Sequence, residues 1–82
     1  MKKYNVNGRL VTIEDLFDSQ YMGTEYGLYF EEYEFEVPLS NENIYEYFEL
    51  PEDTDLEEAT NIYQRNFEEV DRHFTQLALE DL

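Results

Sequence analysis

The chain contains no cysteine and no tryptophan. Without cysteine, no disulfide can staple the fold and no thiolate can hold zinc. Positive charge is almost as scarce: five Lys and Arg stand against 21 Asp and Glu, a formal net charge of −16 over 82 residues. Nucleic acid and anionic membranes are both bound by basic surfaces, so neither is an expected ligand. The three glycines, Gly8, Gly23 and Gly27, are too dispersed to form a phosphate cradle. No apolar run approaches membrane-spanning length, and no apolar stretch follows Met1-Lys2-Lys3 as it would in a signal peptide. A cytoplasmic protein is the expectation.

What the chain has in quantity is aromatic side chains, eight Tyr and six Phe. Disordered acidic tails are poor in aromatics, so a folded chain is expected, and its length suits one domain over residues 1–82. A domain this small buries only about 60% of its unfolded surface. Sixteen net charges also repel one another in the compact state. The acidity therefore reflects either function or a high-salt environment, and the abundant large aromatics weigh against the second.

The local signals predict an α+β fold: a small antiparallel sheet of three or four strands packed by a long C-terminal helix, with one or two short helices. Residues 4–11 read as a hairpin about Asn7-Gly8, a pair suited to the positive φ angles of a type I′ turn. Thr12 caps a short helix over about residues 13–20, with Asp15 three residues on approximating a capping box and Gly23 ending or following the segment. Residues 26–37 read as strand. Tyr33, Phe35 and Val37 alternate with Glu32, Glu34 and Glu36, and Glu31-Glu32 marks a bulge or a hairpin corner. Pro38 ends the strand. Ser40 or Asn41 caps a second short helix containing Ile44, Tyr47 and Phe48, which Pro51 interrupts. Asp53 or Thr54 then caps the long final helix. Leu56, Ala59, Thr60, Tyr63, Phe67, Val70, Phe74 and Leu77 form its apolar stripe, leaving Glu57, Asn61, Gln64, Glu68 and Asp71 outside.

The charge is unevenly placed. Lys2, Lys3, Arg9, Arg65 and Arg72 lie toward the ends, and residues 10–64 hold sixteen acids with no Lys or Arg. The late arginines have helical partners at the right spacing, Glu68 for Arg72 and Glu69 for Arg65. The middle of the chain has none, unlike an ordinary surface on which the two signs interleave.

No residues suggest catalysis. Acid pairs are too frequent for any one to signal a general acid and base, and the single histidine, His73, reads as a surface or core-edge residue. Glu52-Asp53-Thr54-Asp55 spaces its oxygens like a calcium loop but lacks the central glycine and the distal glutamate. Those acids are better read as favouring a helix N-terminus. Neither enzyme activity, a metal nor a cofactor is expected.

The acids themselves form the candidate partner-binding set: Asp15 and Asp18 on the first helix, then Glu31, Glu32, Glu34 and Glu36 along the strand. Glu42, Glu46 and Glu49 share a face of the second helix, Glu52 and Asp53 lie at the start of the last, and Asp55 falls in its first turn. Same-face strand residues repeat every ~6.6 Å, close to the spacing of phosphates along one nucleic-acid strand. Arg grips carboxylate in the same bidentate way as phosphate. Tyr21, Tyr29 and Tyr45 are candidate anchors within the charged field.

In size, composition and acid rows such as Glu31-Glu32-Tyr33-Glu34-Phe35-Glu36, the whole chain resembles the phage-encoded DNA mimics. These are small, cysteine-free, acidic, aromatic-rich proteins that block restriction enzymes or CRISPR nucleases. The resemblance implies an inhibitor in the host bacterial cytoplasm that occupies the basic DNA-binding surface of a defence nuclease. It would act as a monomer or a homodimer. Two other classes fit the same charge: an immunity protein or antitoxin neutralising a basic nuclease toxin, and an acidic adaptor for a basic protein.

Overall fold

A computed structural model describes residues 1–82. The fold is α+β. Strands β1 (Tyr4–Val6) and β2 (Arg9–Val11) pair antiparallel as the expected hairpin. Asn7 and Gly8 take φ of 52° and 89°, the left-handed pair that a type I′ turn requires. This hairpin is a two-stranded sheet of its own, separate from the three-stranded sheet that follows, where one sheet of three or four strands is expected. The Asn7 Nδ2 donates to the carbonyls of Tyr33 and Glu34 at 2.8 and 2.9 Å and ties its turn to the segment leading into the other sheet.

Helix α1 (Ile13–Asp18) begins at the predicted capping box. The Asp15 amide donates to Thr12 Oγ1 at 3.1 Å, and the Thr12 amide donates to Asp15 Oδ2 at 2.8 Å. The helix is shorter than expected because Ser19 is already extended and feeds a strand that the sequence reading missed, β3 (Tyr21–Thr24). Gly23 thus lies within a strand and does not end the helix. β3 pairs antiparallel with β4 (Gly27–Phe30), which pairs with β5 (Phe35–Pro38), giving the order β3-β4-β5.

The expected run over 26–37 is therefore two strands. A 3₁₀ turn, Glu31–Tyr33, joins them, and Glu34 closes it in the left-handed conformation at φ 50°. A hairpin corner does fall at Glu31-Glu32, but it is wide enough to remove Glu32 and Glu34 from the strand. Gly27 at φ 149° allows a close approach to β5, because a Cβ there would lie 2.0 Å from the Val37 carbonyl oxygen.

Ser40 caps α2 (Asn41–Tyr47), with Asn43 as the reciprocal partner. Glu49, at φ 53°, lies beyond its end. The single long final helix is in fact two, α3 (Leu56–Arg65) and α4 (Phe67–Glu80), and the N-cap of α3 is Asp55. Asn66 makes the break, with φ −131° and ψ 19°. Its Nδ2 donates to the Ile62 carbonyl at 2.8 Å, and its own carbonyl accepts the Val70 amide at 3.2 Å, so one residue ends α3 and starts α4.

The break changes which side chains are inside. Leu56, Phe67 and Leu77 of the expected stripe are exposed, while Val70, Asp71, Thr75 and Leu79 are buried. The main core joins Tyr4, Val6, Val11, Leu16, Leu28, Phe30, Tyr33, Phe35 and Val37 to Leu79 of α4. Phe30 is its centre, fully buried, stacked on Tyr21 at 4.9 Å and met edge-on by Phe17 at 5.4 Å. α2 and α3 contribute nothing to this cluster. α2 is instead held to α4 by Tyr47, which packs against His73 and Phe74 and donates to Glu69 at 2.6 Å. The molecule measures 42 × 19 × 18 Å, with a radius of gyration of 13.5 Å, where a compact chain of this length would have about 12 Å.

Candidate partner-binding surface

All sixteen acids between residues 10 and 64 are exposed. Two of them meet a cation. Arg72 pairs with Glu14 at 2.6 Å and lies over the Phe17 ring; Arg9 pairs with Glu32 at 3.5 Å and lies over the Tyr33 ring. The arginines thus reach across the fold. The local pairs expected along the last helix, Glu68–Arg72 and Arg65–Glu69, do not form. Fourteen of the sixteen middle acids have no cationic partner.

The candidate residues fall into two groups on different elements. Asp18, at the end of α1, meets Glu31 and Glu32 of the 3₁₀ turn around a shallow polar cleft of about 470 Å³ that Ser19 and Gln20 complete. Nothing in the sequence spacing placed Asp18 beside this turn. Asp15 is close in sequence, but its carboxylate is engaged in the α1 cap. The expected row of Glu32, Glu34 and Glu36 on one strand face does not exist. Glu32 is in the turn, Glu34 is at its left-handed corner, and Glu36 alone is on β5, opposite Tyr29. A strict alternation in sequence cannot reveal a 3₁₀ turn that rotates the chain between two of its members.

The second group surrounds α2. Glu42 and Glu46 are on the helix, Glu49 follows it, and Glu52, Asp53 and Asp55 occupy the connection to α3. The three-residue face expected from Glu42, Glu46 and Glu49 is therefore two residues and a loop neighbour. Glu57 and Glu58 continue the acidic run into the first turn of α3, where the helix dipole favours them.

Two of the three tyrosines expected as anchors have internal duties. The Tyr45 hydroxyl donates to the Thr54 carbonyl at 2.6 Å, bracing the α2–α3 connection. The Tyr21 hydroxyl donates to Asp71, and its ring stacks on Phe30. Tyr29 is half-buried on the outer face of the sheet, in register with Met22 and Glu36. The most exposed aromatic is Tyr26, in the β3–β4 turn. Tyr26 is read from the sequence as the start of the 26–37 strand and lies instead in the turn before β4, while Met22 goes unread because β3 itself does.

The other missed residue is Asp71, which the helical pattern placed outside and the structure leaves 2% exposed. Its Oδ2 accepts the Tyr21 hydroxyl at 2.9 Å and its Oδ1 accepts the Tyr63 hydroxyl at 2.5 Å. Burial raises the Asp71 pKa above the ordinary carboxylate range, and the two phenol hydrogen bonds pull it back in part. Burial and then the bond to this carboxylate push both phenols well above the usual tyrosine value. A signal was present: Asp71 lies four residues after Phe67 and three before Phe74, on the side of the apolar stripe.

His73 is exposed beside Tyr47 and Phe74. No three His, Asp or Glu side chains converge as a metal site would require. No helix is long and apolar enough to cross a membrane. The chain matches no protein-family model, no curated protein and no solved structure.

Proposed function

We propose that the protein is a nucleic-acid mimic that inhibits a bacterial defence nuclease, a CRISPR-Cas effector or a restriction-modification complex, by occupying its basic DNA-binding surface. The observation that carries this reading is the set of sixteen exposed middle acids, of which only Glu14 and Glu32 are paired. Magnitudes support it. The protein carries a net −16 along 42 Å, and a DNA duplex of that length carries about 25 phosphate charges at one per ~1.7 Å. Its charge density is thus of the same order as that of DNA. Solubility alone asks for a net charge of about 2 to 8 in magnitude.

The mechanism is competitive. A groove lined with Arg and Lys attracts the acidic rod from a distance, and association is fast at low salt. Arginines then bind carboxylates bidentately in place of phosphates. The match is one of field and density, since the strand row of Glu32, Glu34 and Glu36 does not form.

Capture of partners from a bacterial lysate, followed by competition with duplex DNA, tests the reading. The captured protein should bind nucleic acid, should be released by DNA and should be held less tightly as salt rises. Reversing Asp18 and Glu31 to Lys in one variant, and Glu42 and Glu46 in another, identifies the group that makes the contact. Captured partners that neither bind nucleic acid nor yield to DNA would refute mimicry and leave the adaptor class.

A further inference from the structure

A groove of about 440 Å³ runs between the inner face of β3 and the junction of α3 with α4. Tyr21, Gly23, Leu28, Tyr63 and Phe67 line it, together with Asp71. Gly23 explains why it is open. This residue is in register with Leu28, which is in register with Val37, both on the core-forming face of the sheet. A Cβ at Gly23 would meet nothing within 4 Å. The inward row of the sheet therefore has a gap where a side chain would normally stand.

The groove combines three aromatic rings with a carboxylate that has no cation. Asp71 takes part in neither of the two salt bridges, and the nearby Arg72 is engaged by Glu14. Each carboxylate oxygen accepts one phenol hydrogen and has a second acceptor site. A carboxylate buried without a counter-ion is costly, and a cation placed beside it offsets that cost. Ring faces attract the same cation, and they also cover the methylenes of a long basic side chain. An anion would be repelled, and a neutral apolar group would only desolvate the charge further.

We propose that this groove receives one arginine or lysine side chain of a basic protein partner, with the stem against Tyr21, Tyr63 and Phe67 and the charged head at Asp71. The source of that side chain rests on the proposed function; the chemistry of the groove does not.

The test is an amide and aromatic NMR titration of the whole protein with the peptide acetyl-Gly-Arg-Gly-amide and with its neutral citrulline counterpart. The arginine peptide should cause saturating shifts at the Gly23 amide and at the Tyr63 and Phe67 rings. The citrulline peptide and the Asp71→Asn variant should each bind about tenfold more weakly or worse. Gly23→Val fills the gap, changes no charge and should abolish the shifts in a protein that remains folded. That variant keeps the test valid if Asp71→Asn does not fold. Shifts confined to exposed carboxylate residues, equal binding of the citrulline peptide, or unchanged binding by Gly23→Val would overturn the assignment. Failure here would leave DNA-displaceable partner capture intact, whereas failure of mimicry would leave the peptide titration unchanged.

Discussion

Replacing the phenols that hold Asp71 isolates the least ordinary interaction in the core. Tyr21→Phe and Tyr63→Phe each delete one hydroxyl and keep the ring, so packing is nearly constant. A hydrogen bond to a charged group contributes about 1.5–3 kcal/mol. Both tyrosines are half-buried, which places each loss near the lower end, about 1.5 kcal/mol. For a domain this size, that lowers Tm by about 6–12 °C.

The double variant is more informative, because it leaves a buried carboxylate with no donor. Its cost has a ceiling. Beyond about 4 kcal/mol at pH 7, the price of protonating an ordinary carboxyl, Asp71 folds as the neutral acid instead. At pH 5 the ceiling drops to about 1.5 kcal/mol. The same trend is expected of the parent in weaker form. Its Asp71 pKa is raised by burial, so the associated stability is fully present below the ordinary Asp value and is lost as pH rises through the folded value. The double variant should therefore regain stability more steeply than the parent between pH 7 and pH 5. Urea unfolding of all four proteins at both pH values measures the differences directly. Single variants within about 0.5 kcal/mol of the parent, or parallel pH profiles for parent and double variant, would refute a buried charge held by two phenols.

Three further outcomes are expected. Tyr21 and Tyr63 have raised pKa values, so the folded state keeps phenol protons that the unfolded state releases, and stability falls as pH rises above the ordinary tyrosine value near 10. Their absorbance at 295 nm should change only with unfolding; early titration of all eight tyrosines would contradict the buried triad. Gly27→Ala would set a Cβ 2.0 Å from the Val37 oxygen and 2.7 Å from the Leu39 nitrogen, both backbone atoms, and should cost more than about 3 kcal/mol or prevent folding. Gly8→Ala, in open space at φ 89°, is the mild comparison at about 1 kcal/mol in the same denaturation assay. Added salt should raise the melting temperature by screening a net charge of −16 while weakening partner binding; a melting temperature indifferent to salt from 10 to 500 mM would show that self-repulsion is minor.

Much of the fold was legible where its cause is local. Asn7-Gly8 specifies its turn because few other residue pairs tolerate two positive φ angles, and Thr12 and Ser40 specify helix starts because their hydroxyls accept an amide three residues ahead. β3 was not legible. Tyr21-Met22-Gly23-Thr24 has only one inward side chain of any size, Tyr21, and it is held as a strand by the ladder to β4. The helix break was hidden too, since the apolar spacing runs through Asn66 without interruption and only the two bonds made by that residue expose it.

The sequence alone determined the size and sign of the charge, its concentration between residues 10 and 64, and the exposure that follows from the cost of burying an unpaired carboxylate. It could not decide the grouping of those acids. The association of Asp18 with Glu31 and Glu32, and the removal of Glu32 and Glu34 from a common strand face, arise where a 3₁₀ turn meets the end of a helix. Asp71 departs from the general rule because tertiary packing brings two phenols, one from β3 and one from α3, to the same carboxylate. Residues 50 and 8 positions away meet there only after the chain has folded, and no local pattern records such a meeting.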